Sequence, residues 1–412
     1  MYYVNRPVVV VDPLEAGIEL APAFKTRGIP AIAVNFQTPD CPGFGTEVQT
    51  SDFIEVIFDQ PNLVEVLRKY NPIAVIPGTE EAVPLADHLT EILTPQFAND
   101  PQKSLNRLHK AFMQKALQEA GVPALKTLNT SSENEVETWI KENELSDSPL
   151  IIKPPMSYGS DKVFHIPAKG DWKMFFNRVL TEPAKLNEKF SETVVVQEQA
   201  IGTEFAVGTV SAKGKHHLVH LVKYNKTSSQ GRKTVFDYVE FVSYSEKEHG
   251  ELFDYTQKAL DALGIRWGAV HNEIILTKKG PRLIDSSPRM MGGPVIGFAR
   301  EATGSSQADK LVEIYIDGDV QKEFVFKKSV VPVFLKSPAQ GIMSNIEVFA
   351  EVPQLQTLFK EYIWFKNGDV VPHTVDYLTS IGIIALSGDR ERIFLDYQKI
   401  RNMESKLVIH EV

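Results

Sequence analysis

Two carboxylates and an arginine concentrate the chemistry of this chain in residues 270–293, VHNEIILTKKGPRLIDSSPRMMGG. The stretch reads as two strands joined by a Lys278-Lys279-Gly280 turn, then a tight loop carrying Arg289, Gly292 and Gly293. His271, Glu273 and Asp285 fall on or beside the strands, so a sheet would hold two acids at close quarters. Magnesium prefers hard oxygen ligands and commonly takes one or two carboxylates plus substrate phosphates. A neighbouring guanidinium can neutralise charge that develops during phosphoryl transfer. The same residues also describe a salt-bridged surface, because exposed ion pairs are common and contribute little. Spacing alone leaves both readings open.

The elements that would supply partners begin at the N-terminus. Residues 7–12 are nearly all valine, the pattern of a strand buried on both faces. Residues 15–27 predict a helix with Ile18, Leu20, Ala21 and Phe24 on its apolar side and Gly28 as its stop. Strands at 31–34 and 73–76, with a helix marked by Leu63, Val66 and Leu67, complete an alternation that predicts an open parallel sheet with helices on its faces. Asp12-Pro13 stands where a G-x-G-x-x-G turn would begin, which argues against a dinucleotide site. Thr79, Glu80 and Glu81 follow the third strand, at the edge where such sheets collect ligands. They also read as a helix start, with Thr79 as cap and the acids favoured by the dipole.

Asp100-Pro101 predicts a helix running to Gly121, with an apolar stripe from Leu105 to Ala120. Lys110 lies off that stripe and reads from spacing as a surface lysine. Ser132 with Glu135 matches a capping box before another helix. Residues 150–152 form a strand that delivers Lys153, and the 158–162 loop (Tyr158, Gly159, Ser160, Asp161, Lys162) precedes a further strand. Such a loop can cover phosphates with backbone donors, or be an ordinary hairpin turn. Gln197 and Glu198 end a valine-rich strand, where they could meet an adenine amine and a ribose or be plain edge groups. Glu204 opens an alternating hairpin that turns at Lys213-Gly214. Residues 224–234, with Lys226, Arg232 and Lys233, predict a mobile loop. A helix at 308–316 and strands at 330–335 and 381–386 follow. His373 reads as an ordinary residue. No long linker interrupts the chain, which predicts closely packed domains with a small one hinged.

Composition bounds the function. The chain has 412 residues, a formal charge of −9, 43% apolar residues and 24% charged residues. That fits an enzyme or binding protein of two or three domains and argues against a nucleic-acid partner. The single cysteine, Cys41, excludes an internal disulfide framework and a cysteine-based structural zinc site. The N-terminus lacks a signal-peptide design and its apolar run is far too short for a membrane span, so a cytoplasmic protein with no membrane partner is expected. There is no G-x-x-x-x-G-K-[ST] P-loop, no kinase H-R-D/D-F-G pair and no G-x-S-x-G elbow.

The order of these motifs resembles the ATP-grasp superfamily of carboxylate–amine ligases. Leu150-Ile151-Ile152-Lys153-Pro154 is similar to the strand whose lysine meets the nucleotide phosphates, and the 158–162 loop occupies the place of the phosphate-covering loop. Gln197, Glu198, Gln199 and Ala200 resemble the adenine-holding hinge, with Gly202-x-Glu204 following it. Lys110 falls at the earlier nucleotide-directed lysine. His271-x-Glu273 and Asp285-x-Ser287-Pro288-Arg289, then Gly292-Gly293, resemble the diagnostic H-x-E … E-x-N-x-R-x-G-G pattern; Asp285 replaces the commoner Glu and Ser287 the usual Asn.

The resemblance implies a mixed α/β and α+β architecture. Its parts would be an N-terminal pre-grasp domain at residues 1–98, a connecting helix at 99–121, a small lid at 122–202 and a large antiparallel-sheet domain at 203–412. It implies ATP and two Mg2+ ions, with Mn2+ as a substitute, held by Glu273, Asp285 and Ser287. Arg289 would stabilise an acyl phosphate. Glu80, Glu81, Gly292 and Gly293 would border the substrate. Within the superfamily the chain is most similar to the microbial L-amino-acid ligases, which implies dipeptide formation from free amino acids. A different ATP-grasp ligase and a non-catalytic nucleotide-binding protein stand as alternatives, and a homodimer is open.

Overall fold

The structure is a computed structural model that describes residues 6–35, 50–157, 159–183, 190–229, 232–322 and 324–411. Tyr158 and Cys41 lie outside the described residues. Two compact units arise, each discontinuous in sequence. The first takes residues 1–127, 200–221 and 244–325, and the second takes 128–199, 222–243 and 326–412.

The first unit contains the expected parallel sheet, in the order Glu55–Phe58, Ala31–Asn35, Val8–Val11, Val75–Pro77. Val8–Val11 sits inside it, paired on one side with Ala31–Val34 and on the other with Val75–Pro77. That position explains four consecutive valines, all fully buried. The helix expected at 15–27 is shorter and irregular. A 3-10 turn spans Glu15–Glu19, the α-helix is Leu20–Lys25, and Ile18 is exposed. Gly28 does end it, at φ 69°.

The same unit carries antiparallel strands in the order Gly280–Ser287, Gly268–Thr277, Gly202–Ala212, followed by the first residues of Lys215–Ser229. Lys213 and Gly214, at φ 55° and 81°, make the turn that the sequence predicts.

The helix expected from Asp100 differs in a telling way. Two 3-10 turns, Pro101–Lys103 and Leu105–Arg107, precede an α-helix that begins only at Lys110 and runs to Glu119. Arg107 is the cause. It is buried, donating through Nη1 to the carbonyls of Asp100 (2.8 Å) and Leu263 (3.3 Å) and through Nη2 to Asp87 (2.8 Å). Those bonds hold the chain out of a regular helix, and local propensity gives way to tertiary contacts.

In the second unit a four-stranded sheet runs in the order Thr127–Thr130, Val194–Glu198, Leu150–Lys153, Phe164–Ile166. The helices Glu133–Glu142 and Lys173–Thr181 pack on it through Val136, Phe176 and Val179. Ser132 caps the first of these by accepting from the Glu135 amide at 3.4 Å. A second core forms around Ser329–Leu335, Gly382–Gly388 and the helix Arg390–Glu404.

The segment 224–234 is a correction. Its described part is paired antiparallel strand, Lys215–Ser229 against Arg232–Phe241, rather than a loop. Lys226 is held over the rings of Tyr224 and Phe236, at 5.0 and 4.6 Å, which turns a polar-looking stretch into packed sheet. No helix among the described residues is long and apolar enough to cross a membrane.

Candidate active site

In the first unit the strand register sets Glu273 directly opposite Asp285. Opposed residues of an antiparallel pair share a face, so the two carboxylates project together. His271 opposes Ser287 on that face, and Glu204 lies on it too, opposite Ile275 on the neighbouring strand. The register shifts between Glu273 and Ile274, a bulge that re-aims the end of the Gly280–Ser287 strand. On the opposite face Asn272 is fully buried. It donates to the Val207 carbonyl at 3.0 Å and accepts from the Ser286 hydroxyl at 2.9 Å, which fixes the register that places the acids.

Lys110 is a buried residue, not the surface lysine that spacing predicts. Its Nζ lies 3.1 Å from Asp285 Oδ2, with the Lys110 side chain 6% exposed. Two features aim it. His109 caps the helix, its Nδ1 accepting from the Phe112 amide, so Lys110 takes the first helical position. Gln114, one turn on, donates to the Leu283 carbonyl at 2.7 Å and accepts from the Leu125 amide at 2.8 Å, tying the helix to the acid-bearing strand. Burial alone would push the Lys110 ammonium down. Asp285, Glu80 and Glu273 outweigh it and hold its pKa above the ordinary value.

Arg289 stands one loop beyond. Its Nη2 meets Glu80 Oε2 at 2.9 Å and its Nη1 donates to the Met290 carbonyl at 2.8 Å. Burial works against its charge, yet Glu80 and Glu15 raise its pKa further. The loop is anchored by Gln307, which is fully buried. Its Oε1 accepts from the Met291 amide at 2.9 Å, and its Nε2 donates to the carbonyls of Thr209 and Val270 at 3.0 Å each.

Glu80 arrives from the parallel sheet. Thr79 does not cap the helix that follows, which starts at Val83 with Ala82 at its N-cap. The Thr79 hydroxyl instead donates to Asp12 at 2.5 Å and accepts from the Ala82 amide at 3.3 Å. A Cβ at Gly17 would meet the Gly78 Cα at 2.7 Å, so only glycines let the loops after the first and last strands close on each other. Glu81 is partly exposed beside Glu80.

Several hydrogen-bonding atoms on this floor are left over, His271 Nδ1 among them. Ser287 Oγ and Arg289 Nε are buried with no hydrogen-bond partner among the described residues. Such atoms are rare in folded proteins and mark a place for an ion, a water or a substrate. Among the described residues no group of three or more His, Cys, Asp or Glu side chains is poised for a metal. Two carboxylates and a vacant hydroxyl fit magnesium all the same, because that ion keeps oxygen positions for phosphates and water. His220 belongs to the same face. A Cβ on Gly208 would fall into its imidazole ring, and burial lowers its pKa to about 3, with His271 adding to the effect.

The second unit holds the other sequence-derived residues. Lys153 is buried and its strand partner is Val195, with Ile151 opposite Gln197 and Leu150 opposite Glu198. The Gln199 amide donates to the Pro149 carbonyl at 3.1 Å. Gly159 and Ser160 both have positive φ, 64° and 61°. Lys162 donates to the Glu182 carbonyl, so its ammonium is engaged away from the loop tip. Ala200 belongs to the first unit. Sequence reasoning missed Glu15, Gln114, Gln307 and His220. Of these only Glu15 had a positional signal, at the carboxyl end of the first parallel strand.

Residues 146–297 match the model of the ATP-grasp domain. A curated relative, dapdiamide A synthase of Enterobacter agglomerans, is 26% identical over 97% of this chain and 96% of its own length. The solved L-amino acid ligase from Bacillus licheniformis superposes with a TM-score of 0.73 at 18% identity, covering 99% of each chain. A carboxyaminoimidazole ribonucleotide synthase from Aspergillus clavatus, complexed with ATP, gives 0.71 at 14% identity, covering 98% of this chain and 99% of that one. These likenesses establish the fold, a mixed helix–sheet architecture with a four-stranded parallel sheet and larger antiparallel sheet.

Proposed function

We propose, from an ATP-grasp domain carried on an ATP-grasp fold, that this protein is an ADP-forming carboxylate–amine ligase, and that its substrates are two free L-amino acids joined into a dipeptide. The observation that carries the ligase reading is the paired Glu273 and Asp285 with Lys110 at 3.1 Å and a vacant Ser287 hydroxyl beside them. A surface ion-pair cluster does not explain it, because Lys110 is buried and Ser287 Oγ is buried with no hydrogen-bond partner among the described residues.

Glu273, Asp285 and Ser287 would hold magnesium, which when bound supplies charge neutralisation at the transferring phosphoryl group. Lys110 would release Asp285 and turn its ammonium toward nucleotide phosphate. On the second unit Lys153, Gly159, Ser160, Gln197, Glu198 and Gln199 carry the proposed nucleotide contacts, with Ala200 and Glu204 following in sequence; these rest on the resemblance. Arg289, fixed by Glu80 and Met290, would present Nε to the oxygen that gains charge as amine adds to the acyl phosphate. The full-length likeness to a relative named for making dapdiamide A favours a second reading, the same chemistry with another carboxylate–amine pair.

The test supplies ATP, Mg2+ and pools of the twenty L-amino acids, and follows ADP with product masses. Amino-acid-dependent ADP and a dipeptide mass are expected. No such ADP across all pools would reject the dipeptide reading.

A further inference from the structure

Glu15 is an acid of this site that forms no ion pair among the described residues. It sits in the loop after Val8–Val11, with a backbone φ of 47° that a non-glycine residue rarely holds. Its carboxylate feels the charge of both Arg289 and Glu80. Yet among the described residues it forms no ion pair, while Glu80 is spent on Arg289 at 2.9 Å. Gly292 separates the two groups. A Cβ there would lie 2.9 Å from Glu15 Oε2 and 3.4 Å from Arg289 Nη1, so the glycine keeps an open floor between an acid and a guanidinium. Arg289, its side chain 10% exposed, also carries an Nε that is buried with no hydrogen-bond partner among the described residues.

A carboxylate with no ion pair among the described residues, beside an arginine whose Nε has no acceptor among them, matches two halves of one event. The ammonium of an incoming amino acid needs an anion to receive it. The carbonyl it attacks needs a donor for its developing negative charge. We propose that Glu15 binds the acceptor ammonium and takes the proton that frees its amine for attack, a role that rests on the ligase reading. The step balances. R–NH3+ gives one proton to the Glu15 carboxylate. The amine lone pair forms the C–N bond as the acyl C–O(phosphate) bond breaks, and the departing phosphate keeps that electron pair and takes the second amine proton. Burial raises the Glu15 carboxyl above its ordinary value, against the pull of Arg289, which moves its basicity toward that of the proton it must accept.

The test uses Glu15→Gln in the full chain and separates the two half-reactions. Hydroxylamine is mostly unprotonated at neutral pH and needs no base, so it traps the acyl phosphate as a hydroxamate. The expected result is hydroxamate formation within about twofold of the parent. Peptide formation from the pair the parent couples falls at least about 100-fold, the low end for a lost general base. The residual rate should climb with pH as the free amine fraction rises. Equal loss of both activities would make Glu15 structural or part of carboxylate activation, and overturn the proposal. Unchanged peptide formation would overturn it outright. A parent that makes neither product defeats the ligase reading itself, a different result. If Glu15→Gln does not fold, Glu15→Asp must show the same split between hydroxamate and peptide.

Discussion

Replacing Lys110 with Met tests whether the acid pair depends on its buried cation. Lys110 is 5% exposed and its Nζ lies 3.1 Å from Asp285, whose side chain is 23% exposed. Methionine keeps the length and apolar stem but leaves Asp285, Glu273 and Glu80 without that charge. Breaking a buried pair costs on the order of 3–5 kcal/mol when the survivor is sealed from water. The partial exposure of Asp285 places the expected loss near the lower bound, about 3 kcal/mol. Asp285→Asn removes the partner acid. In the double variant the loss should be smaller than the sum of the singles by about 2 kcal/mol, since the two residues touch. Urea midpoints followed by tryptophan fluorescence give all four corners of the cycle, with Trp267 reporting from the same unit. A single-variant loss below about 0.5 kcal/mol, or an additive cycle, would show that Lys110 does not neutralise this site.

Other perturbations probe the frame. Gln307→Leu removes three buried hydrogen bonds and strands the Met291 amide; a loss of about 3 kcal/mol is expected at roughly 1 kcal/mol each, with ligase turnover falling because the Arg289 loop loosens. Full stability and activity would contradict that assignment. His220 has its pKa depressed from 6.5 to about 3 in the folded chain. An unfolded histidine takes a proton below about 6.5, so stability linked to His220 is present above that pH and drains as pH falls toward about 3, by at most about 5 kcal/mol. His220→Gln should flatten the dependence of the urea midpoint between pH 6 and about 4; an unchanged slope would mean that the ring is not held neutral. For Glu15 the sign is opposite. Its folded pKa is raised, so stability present below the unfolded value is lost as pH rises through the folded one. Glu15→Gln should therefore gain stability relative to the parent as pH rises to 7, and a constant difference would refute the shift.

Much of this was legible wherever neighbours in sequence decide the structure. Alternation placed Glu273 and Asp285 on one face. Lys213-Gly214 and Lys279-Gly280 announced their turns, and Ser132 its helix. What escaped depends on partners far along the chain. Lys110 reads as a surface residue because its stripe is computed from its own helix, while Asp285 comes from a strand much later in sequence. Arg107 breaks a helix that its local pattern favours, since the carbonyls of Asp100 and Leu263 and the acid of Asp87 attract it inward. The strands around Lys226 look like a polar loop until Tyr224 and Phe236 cover its stem. Beyond its place at the carboxyl end of the first parallel strand, Glu15 gives no signal in sequence, because its significance is the lack of an ion pair among the described residues, visible only once Arg289 and Gly292 stand beside it.

The central claim is that a carboxylate is activated by phosphate and then captured by an amine. An amino acid labelled with 18O in its carboxylate, supplied with ATP, Mg2+ and the acceptor, tests it most directly. The account predicts one labelled oxygen in the inorganic phosphate for each peptide bond formed. Peptide formed while the phosphate stays unlabelled, or label found in AMP, would contradict it.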